Sequence, residues 1–206
     1  MDNNYIFQYW EAIQDGTVTV GKWIKTIYEI LVNGLKSGKW DFDEEKANKA
    51  INFIENFCHH SEGRNDLLKL ELWQKAIVSA IFGIMDKRTG YRQFREVFIV
   101  VARKNGKTLF AAAIAPYMAY IDGEYGAKVY FLAPKLDQAD LVYDAFYQIV
   151  QADDELDSIT KKRRSDIYIK EFNTSVKKIA FNSKKSDGFN PQMVVNDEME
   201  AWQGDQ

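Results

Sequence analysis

The chain has 206 residues, is 46% hydrophobic and carries a formal net charge of −3. That is enough apolar material for one sizeable core with a smaller appendage, and a charge balance that excludes a polyanion binder built on bulk charge alone. The single cysteine, Cys58, excludes an internal disulfide and fits a reducing compartment. The first ten residues hold one acid and no base, unlike a secretory leader, and the longest uncharged run, 108–121, is too short to span a bilayer. The expectation is a soluble cytoplasmic protein with no membrane segment.

In chain order, residues 1–65 read as an all-helical subdomain. Trp23, Ile24, Ile27, Ile30, Leu31 and Leu35 recur at helical spacing, as do Ala47, Ala50, Ile51, Ile54 and Phe57. The second of these helices opens on Asp43, Glu44 and Glu45 and closes on His59 and His60, the charge order that suits a helix dipole. Adjacent histidines point to different sides of a helix, so this pair does not read as a metal site. Gly34, Ser37-Gly38 and Ser61-Glu62-Gly63 mark breaks, and the boundary with a second domain, 66–206, falls within 61–66.

The second domain begins with a helix through Leu72-Trp73-Gln74-Lys75-Ala76-Ile77, continued by Ala80, Ile81 and Ile84 on one face. Strands and helices then alternate: strand 96–101, helix 107–121, strand 128–133, helix 135–150. Apolar, β-branched strands alternating with helices predict a parallel α/β sheet flanked by helices. Runs 167–171 and 176–181 flank Phe172-Asn173-Thr174-Ser175 as a β-hairpin, and the last predicted strand is 193–196. Nine basic residues against two acids between Lys161 and Lys185 suit either a nucleic-acid face or a solvated hairpin.

The chemistry lies in Ala102-Arg103-Lys104-Asn105-Gly106-Lys107-Thr108, set between Val97-Phe98-Ile99-Val100-Val101 and an apolar helix-like run. Strand, short loop, Gly-Lys-Thr and helix is the context of a phosphate-binding loop, in which backbone N–H groups and a helix N-terminus wrap a triphosphate. Gly106 lets the backbone approach a phosphate, Lys107 reaches the β- and γ-phosphates, and Thr108 offers its hydroxyl to Mg²⁺. The full G-x-x-x-x-G-K-S/T pattern asks for glycine where this chain has Val101. About ninety residues on, Met193-Val194-Val195-Asn196-Asp197-Glu198 reads as a short apolar strand ending in two acids. Asp197 is placed to hold Mg²⁺ through water, and Glu198 to orient and deprotonate an attacking water. Arg103 is a candidate internal arginine finger on the γ-phosphate.

Together these pieces resemble the large terminase subunits of tailed bacteriophages. The loop resembles that family's variant Walker A motif, which commonly lacks the first glycine and carries an early arginine. Trp73-Gln74 is similar to its adenine-recognition segment, and Ala133-Pro134-Lys135-Leu136-Asp137-Gln138-Ala139 to the segment after its second strand. Ser186-Asp187-Gly188-Phe189-Asn190-Pro191, leading to Asn196-Asp197-Glu198-Met199-Glu200-Ala201-Trp202, resembles its Walker B region. The resemblance implies a P-loop NTPase fold with an N-terminal helical subdomain. It implies ATP and Mg²⁺ bound by Gln74, Arg103, Lys104, Asn105, Gly106, Lys107 and Thr108, with Thr108 and Asp197 on the metal and Glu198, Lys107 and Arg103 in catalysis. The implied activity is the ATPase of a motor threading double-stranded DNA into a procapsid. Its implied partners are the portal and the small terminase subunit, with a ring oligomer as the working form and the bacterial host cytoplasm as its location.

Two other readings use the same residues: a helicase-like DNA-dependent ATPase, and a non-catalytic nucleotide-binding assembly module. The chain stops eight residues after Glu198, ahead of the coupling motif and C-terminal nuclease that the resemblance implies. The expectation is a piece of a longer chain that alone binds ATP weakly and hydrolyses it poorly.

Overall fold

The computed structural model describes residues 4–60, 63–64, 66–102, 104–180 and 191–197. It divides into two compact units, Met1–Glu55 with Lys69–Val100, and Asn56–Leu68 with Val101–Gln206.

The first unit holds helices α1 (Tyr5–Gln14), α2 (Lys22–Lys36), α3 (Glu44–Phe57) and α4 (Leu72–Gly83), with a small antiparallel pair, β1 (Asp41–Phe42) and β2 (Ile84–Met85). Helix α1 starts where Asn4 Oδ1 accepts the Ile6 and Phe7 N–H groups, and α3 where Asp43 Oδ1 accepts the Lys46 N–H. The core gathers Ile6, Tyr9 and Ile13 from α1, Tyr28, Leu31 and Val32 from α2, Ala76 from α4, and Trp40 and Ile84. Tyr9 and Tyr28 meet edge to face with ring centroids 4.7 Å apart. Helix α2 forms where the helical spacing predicted one, but only part of its apolar surface meets the core. Its Trp23, Ile27 and Ile30 are 74%, 50% and 55% exposed, while Tyr28, Leu31 and Val32 are buried. Apolar residues cover two adjoining faces of this helix and only one meets the core, a distinction that periodicity does not carry.

The second unit opens with α5 (Lys107–Pro116), which widens into a π-helical turn (Tyr117–Ile121). It continues through β3 (Lys128–Ala133), α6 (Leu136–Gln151), α7 (Asp154–Ile159), β4 (Thr160–Lys162), β5 (Ile167–Ile169), β6 (Thr174–Ala180) and β7 (Met193–Asn196). The sheet order is β4-β5-β6-β3-β7. One side is parallel, β3 pairing with β6 and with β7, whereas β5 runs antiparallel to β6 and β4 to β5. The expected parallel sheet is therefore one part, β6-β3-β7, of a mixed sheet that an antiparallel meander extends from β6. Fully buried Phe131 of β3 lies against Phe146 and Tyr143 of α6, at centroid distances of 5.8 and 6.4 Å. Buried Ala112, Ala113 and Ala115 let α5 pack closely on α6. Cys58 is buried here with its Sγ toward the Ala113 carbonyl, and burial pushes its thiol up.

One predicted strand is absent. Residues 96–101 form no strand among the described residues, and Phe98 and Val100 are 75% and 79% exposed. An apolar, β-branched run has strand propensity, but a strand exists only where a neighbouring backbone takes its hydrogen bonds. Conversely, α7 was not predicted. Its start is a local cap, Asp153 Oδ1 accepting the Glu155 and Leu156 N–H groups, and it is too short to show periodicity.

Candidate nucleotide site

The Gly-Lys-Thr loop ends at Gly106, the N-cap of α5, with φ +71°. No heavy atom lies within 4 Å of where a Cβ on Gly106 would sit. The glycine is therefore demanded by the left-handed backbone rather than by crowding within the protein. Two residues earlier Lys104 also has a positive φ, +65°, which a side chain resists. Between them Asn105 folds back, its Nδ2 donating to the Ala102 carbonyl at 3.1 Å. A chain with Val101 in place of the first motif glycine thus turns through Lys104 and is clasped by Asn105. The first-turn N–H groups of α5 lack intrahelical partners by geometry, and the helix dipole favours an anion there. Lys107 and Thr108 are the first two residues of that helix and are half-buried.

The other half of the site comes from β7. The Asp197 N–H donates to the Leu132 carbonyl at 3.1 Å, continuing the parallel ladder one residue past the strand. Asp197 Oδ1 lies 3.4 Å from Lys107 Nζ, with the aspartate side chain 14% and the lysine 36% exposed. At that distance the contact is an ion pair rather than a short charged hydrogen bond. The start of α5 and the end of β7 therefore meet at the carboxyl edge of the parallel strands, where open α/β sheets bind ligands. Asn196, polar at the end of an apolar run, is exposed.

Gln74 lies on α4 in the first unit, where its Oε1 accepts the Glu71 N–H at 2.9 Å as half of a capping box. Arg103, Glu198, the stretch 186–190 and Met199-Glu200-Ala201-Trp202 lie outside the described residues. Gln138, in the segment after β3, sits in the first turn of α6, its Oε1 buried without a partner among the described residues. Gln192, just ahead of β7, was not singled out. Its Nε2 donates to the Asp122 carbonyl seventy residues away, and such a contact leaves no periodic signal in the sequence.

The basic stretch from Lys161 is partly neutralised by its own fold. Arg163 makes a two-point pair with Asp166 at 2.6 and 2.7 Å and lies over the Tyr168 ring. Lys178 meets Asp140 at 2.6 Å, and Lys162 lies 3.9 Å from Asp144 and 4.3 Å from the Tyr147 ring centroid.

No group of three or more His, Cys, Asp or Glu able to hold a metal occurs among the described residues. The donor chemistry at the α5–β7 junction nonetheless suits a hard divalent cation. Asp197 supplies a carboxylate that already faces a positive charge, and Thr108 supplies a hydroxyl. Magnesium keeps several waters and takes only one or two protein oxygens beside substrate phosphates.

A glycine-capped helix start meeting a strand-ending carboxylate on a parallel sheet defines an α/β nucleotide-binding fold of the P-loop kind. Residues 72–206 match the family described as "Terminase large subunit, ATPase domain", and the chain belongs to that family. The fold is similar to the crystal structure of the HK97 bacteriophage large terminase, with a TM-score of 0.62 and 23% identity over 73% of this chain. The chain corresponds to 30% of that terminase. No curated protein matches it. The family is the one that the sequence resemblance indicated. No helix among the described residues is long and apolar enough to cross a membrane.

Proposed function

We propose that this domain binds ATP with Mg²⁺ at the α5–β7 junction and hydrolyses it, as the ATPase of a motor that moves double-stranded DNA into a procapsid. The observation that carries this reading is the 3.4 Å approach of Lys107 Nζ to Asp197 Oδ1, which joins the two motifs at the sheet's carboxyl edge. In this reading the loop N–H groups and Lys107 grip the β- and γ-phosphates. Thr108 and Asp197 would hold Mg²⁺, which supplies charge neutralisation on the phosphates. Glu198 takes a proton from water as its oxygen bonds to the γ-phosphorus and the bond to the ADP oxygen breaks. Arg103 neutralises charge on the transferring group, Lys104 and Asn105 shape the loop, and Gln74 selects adenine. The motor works as a ring with portal and small-subunit partners in the host cytoplasm.

The test is ATP turnover with and without Mg²⁺ and double-stranded DNA. Mg²⁺-dependent turnover raised by DNA is expected. Glu198→Ala should retain nucleotide and lose roughly 100-fold or more in rate, and Arg103→Ala roughly 1,000-fold. Bound nucleotide with no turnover, unchanged by Glu198→Ala, would make the domain a nucleotide-binding assembly module instead.

A further inference from the structure

Helix α5 with its π-turn and strand β7 are tied at both ends. At one end Lys107 opens the helix and meets Asp197, just past the strand. At the other, Asp122 follows the π-turn, and its carbonyl accepts the Gln192 side-chain amide, just ahead of the strand, at 3.2 Å. The turn that presents this carbonyl is tight: a Cβ on Gly123 would come within 2.7 Å of the Met118 carbonyl oxygen.

Strand β7 needs such a tie. Among the described residues it pairs on one side only, with β3, and it is four residues long. Its sequence, Met193-Val194-Val195-Asn196, has no polar–apolar alternation through the first three residues to fix its register. A slip of one residue would carry Asp197 about 3.3 Å along the strand and turn its side chain to the other face. The Gln192 side-chain bond lies outside the ladder and reports on axial position. Its own N–H donates to the Lys128 carbonyl at 2.8 Å, so both bonds start the strand at one place.

We propose that Gln192 is a positioning residue: by bonding the Asp122 carbonyl it pins β7 in the register that sets Asp197 opposite Lys107. The consequence for ligand binding rests on the nucleotide reading above; the pin itself does not. Two readouts on the 206-residue chain keep the two apart. Gln192→Met keeps the length of the side chain and removes its amide. Amide hydrogen exchange of Val194, Val195 and Asp197 is expected to rise roughly two- to tenfold, the scale of one neutral hydrogen bond, with the β3 and α6 amides unchanged. Affinity for ATP with Mg²⁺ should fall by a similar factor, and affinity for metal-free ATP by less than about twofold, because the displaced group is the carboxylate. Unchanged β7 exchange overturns the proposal. A rise spread over the whole unit, with both affinities falling together, also overturns it and leaves Gln192 a structural residue only. If the parent chain binds no ATP while the local exchange effect is present, the pin stands and the nucleotide reading falls.

Discussion

Lys107 and Asp197 are ninety positions apart in the chain and 3.4 Å apart at their charged atoms. The parallel pairing of β7 on β3 produces this, since it brings the end of β7 to the same edge of the sheet as the start of α5. In the absence of a triphosphate each side chain serves as the other's counterion. On the proposed reading, a bound phosphate would compete for the lysine and free the carboxylate for a cation. Lys107→Met is therefore expected to weaken ATP binding by tenfold or more while lowering stability by no more than about 1 kcal/mol, because the pair is partly exposed. Asp197→Asn should keep the affinity for metal-free ATP and lose the gain that Mg²⁺ gives. Calorimetric titration with and without the metal checks both, and equal losses in the two conditions for Asp197→Asn would remove the aspartate from the metal side.

The loop before α5 takes a positive φ at two places of different kinds. Gly106 at φ +71° has open space around a prospective Cβ, so Gly106→Ala should cost about 1–2 kcal/mol from conformation alone. Lys104 at φ +65° already carries a side chain in that region. Lys104→Gly relieves the strain and adds unfolded-state entropy, two effects of about 1 kcal/mol and opposite sign, so stability should change by less than about 1 kcal/mol. Urea unfolding of the two variants measures the contrast. A Gly106→Ala protein as stable as the parent would mean that the loop relaxes to another backbone.

Two apolar positions that read alike in the sequence should answer differently to truncation. Phe131 is 1% exposed and enclosed by α6 aromatics, so Phe131→Ala should cost about 3–5 kcal/mol. Ile27, at helical spacing with Leu31, is 50% exposed, and Ile27→Ala should stay within about 0.5 kcal/mol. Thermal or urea unfolding decides it. A loss at Ile27 comparable to a core truncation would show that the outer face of α2 is covered in solution.

The same contrast marks how far the sequence could be read. Strands β3 and β7 and the β5–β6 hairpin occur where apolar, β-branched runs predicted them, and β3 buries such side chains on both faces. The run 96–101 has the same composition and forms no strand, because pairing depends on a neighbour that composition does not name. The junction was legible through residue types: a lysine after glycine at a helix start, and an acid after an apolar strand. The Asn105 clasp on Ala102 and the Gln192 tie to Asp122 were not, since a single side-chain bond to a carbonyl obeys no period. The basic stretch was legible as charge but not as partnership, because two of the acids that compensate it, Asp140 and Asp144, lie on α6.

Alkaline pH should expose a third property of that α6 face. Burial, and then the nearby acids Asp166, Asp144 and Asp140, push the Tyr143 phenol up to about 12, against 10 when exposed. The folded state therefore holds a proton that the unfolded chain releases. That contribution to stability is complete below about pH 10 and is lost as pH rises toward 12. Tyr28 and Tyr120 are raised by burial in the same direction. Tyr143→Phe, which keeps the ring, should reduce the downward slope of stability between pH 10 and 12. Tyrosinate absorbance followed alongside urea unfolding tests this, and an unaltered slope would mean that Tyr143 ionises freely in the folded protein.

The basic stretch yields a prediction that separates structural cations from ligand-seeking ones. Lys178 and Arg163 are held by Asp140 and Asp166, so replacing them should lower stability more than any binding. Lys161 and Arg164 are exposed at the β4 edge and in the turn after it. If double-stranded DNA rests on this face, each cation that touches a phosphate releases about 0.9 counterion. Neutralising Lys161 and Arg164 together should then flatten the plot of log affinity against log salt by nearly 2, uniformly across DNA sequences. Lys178→Ala should leave that slope in place and lower the unfolding midpoint. A slope that survives the loss of Lys161 and Arg164 would move the DNA contact elsewhere and leave this ribbon a solvated edge, with its charge spent on holding β4, β5 and β6 against α6.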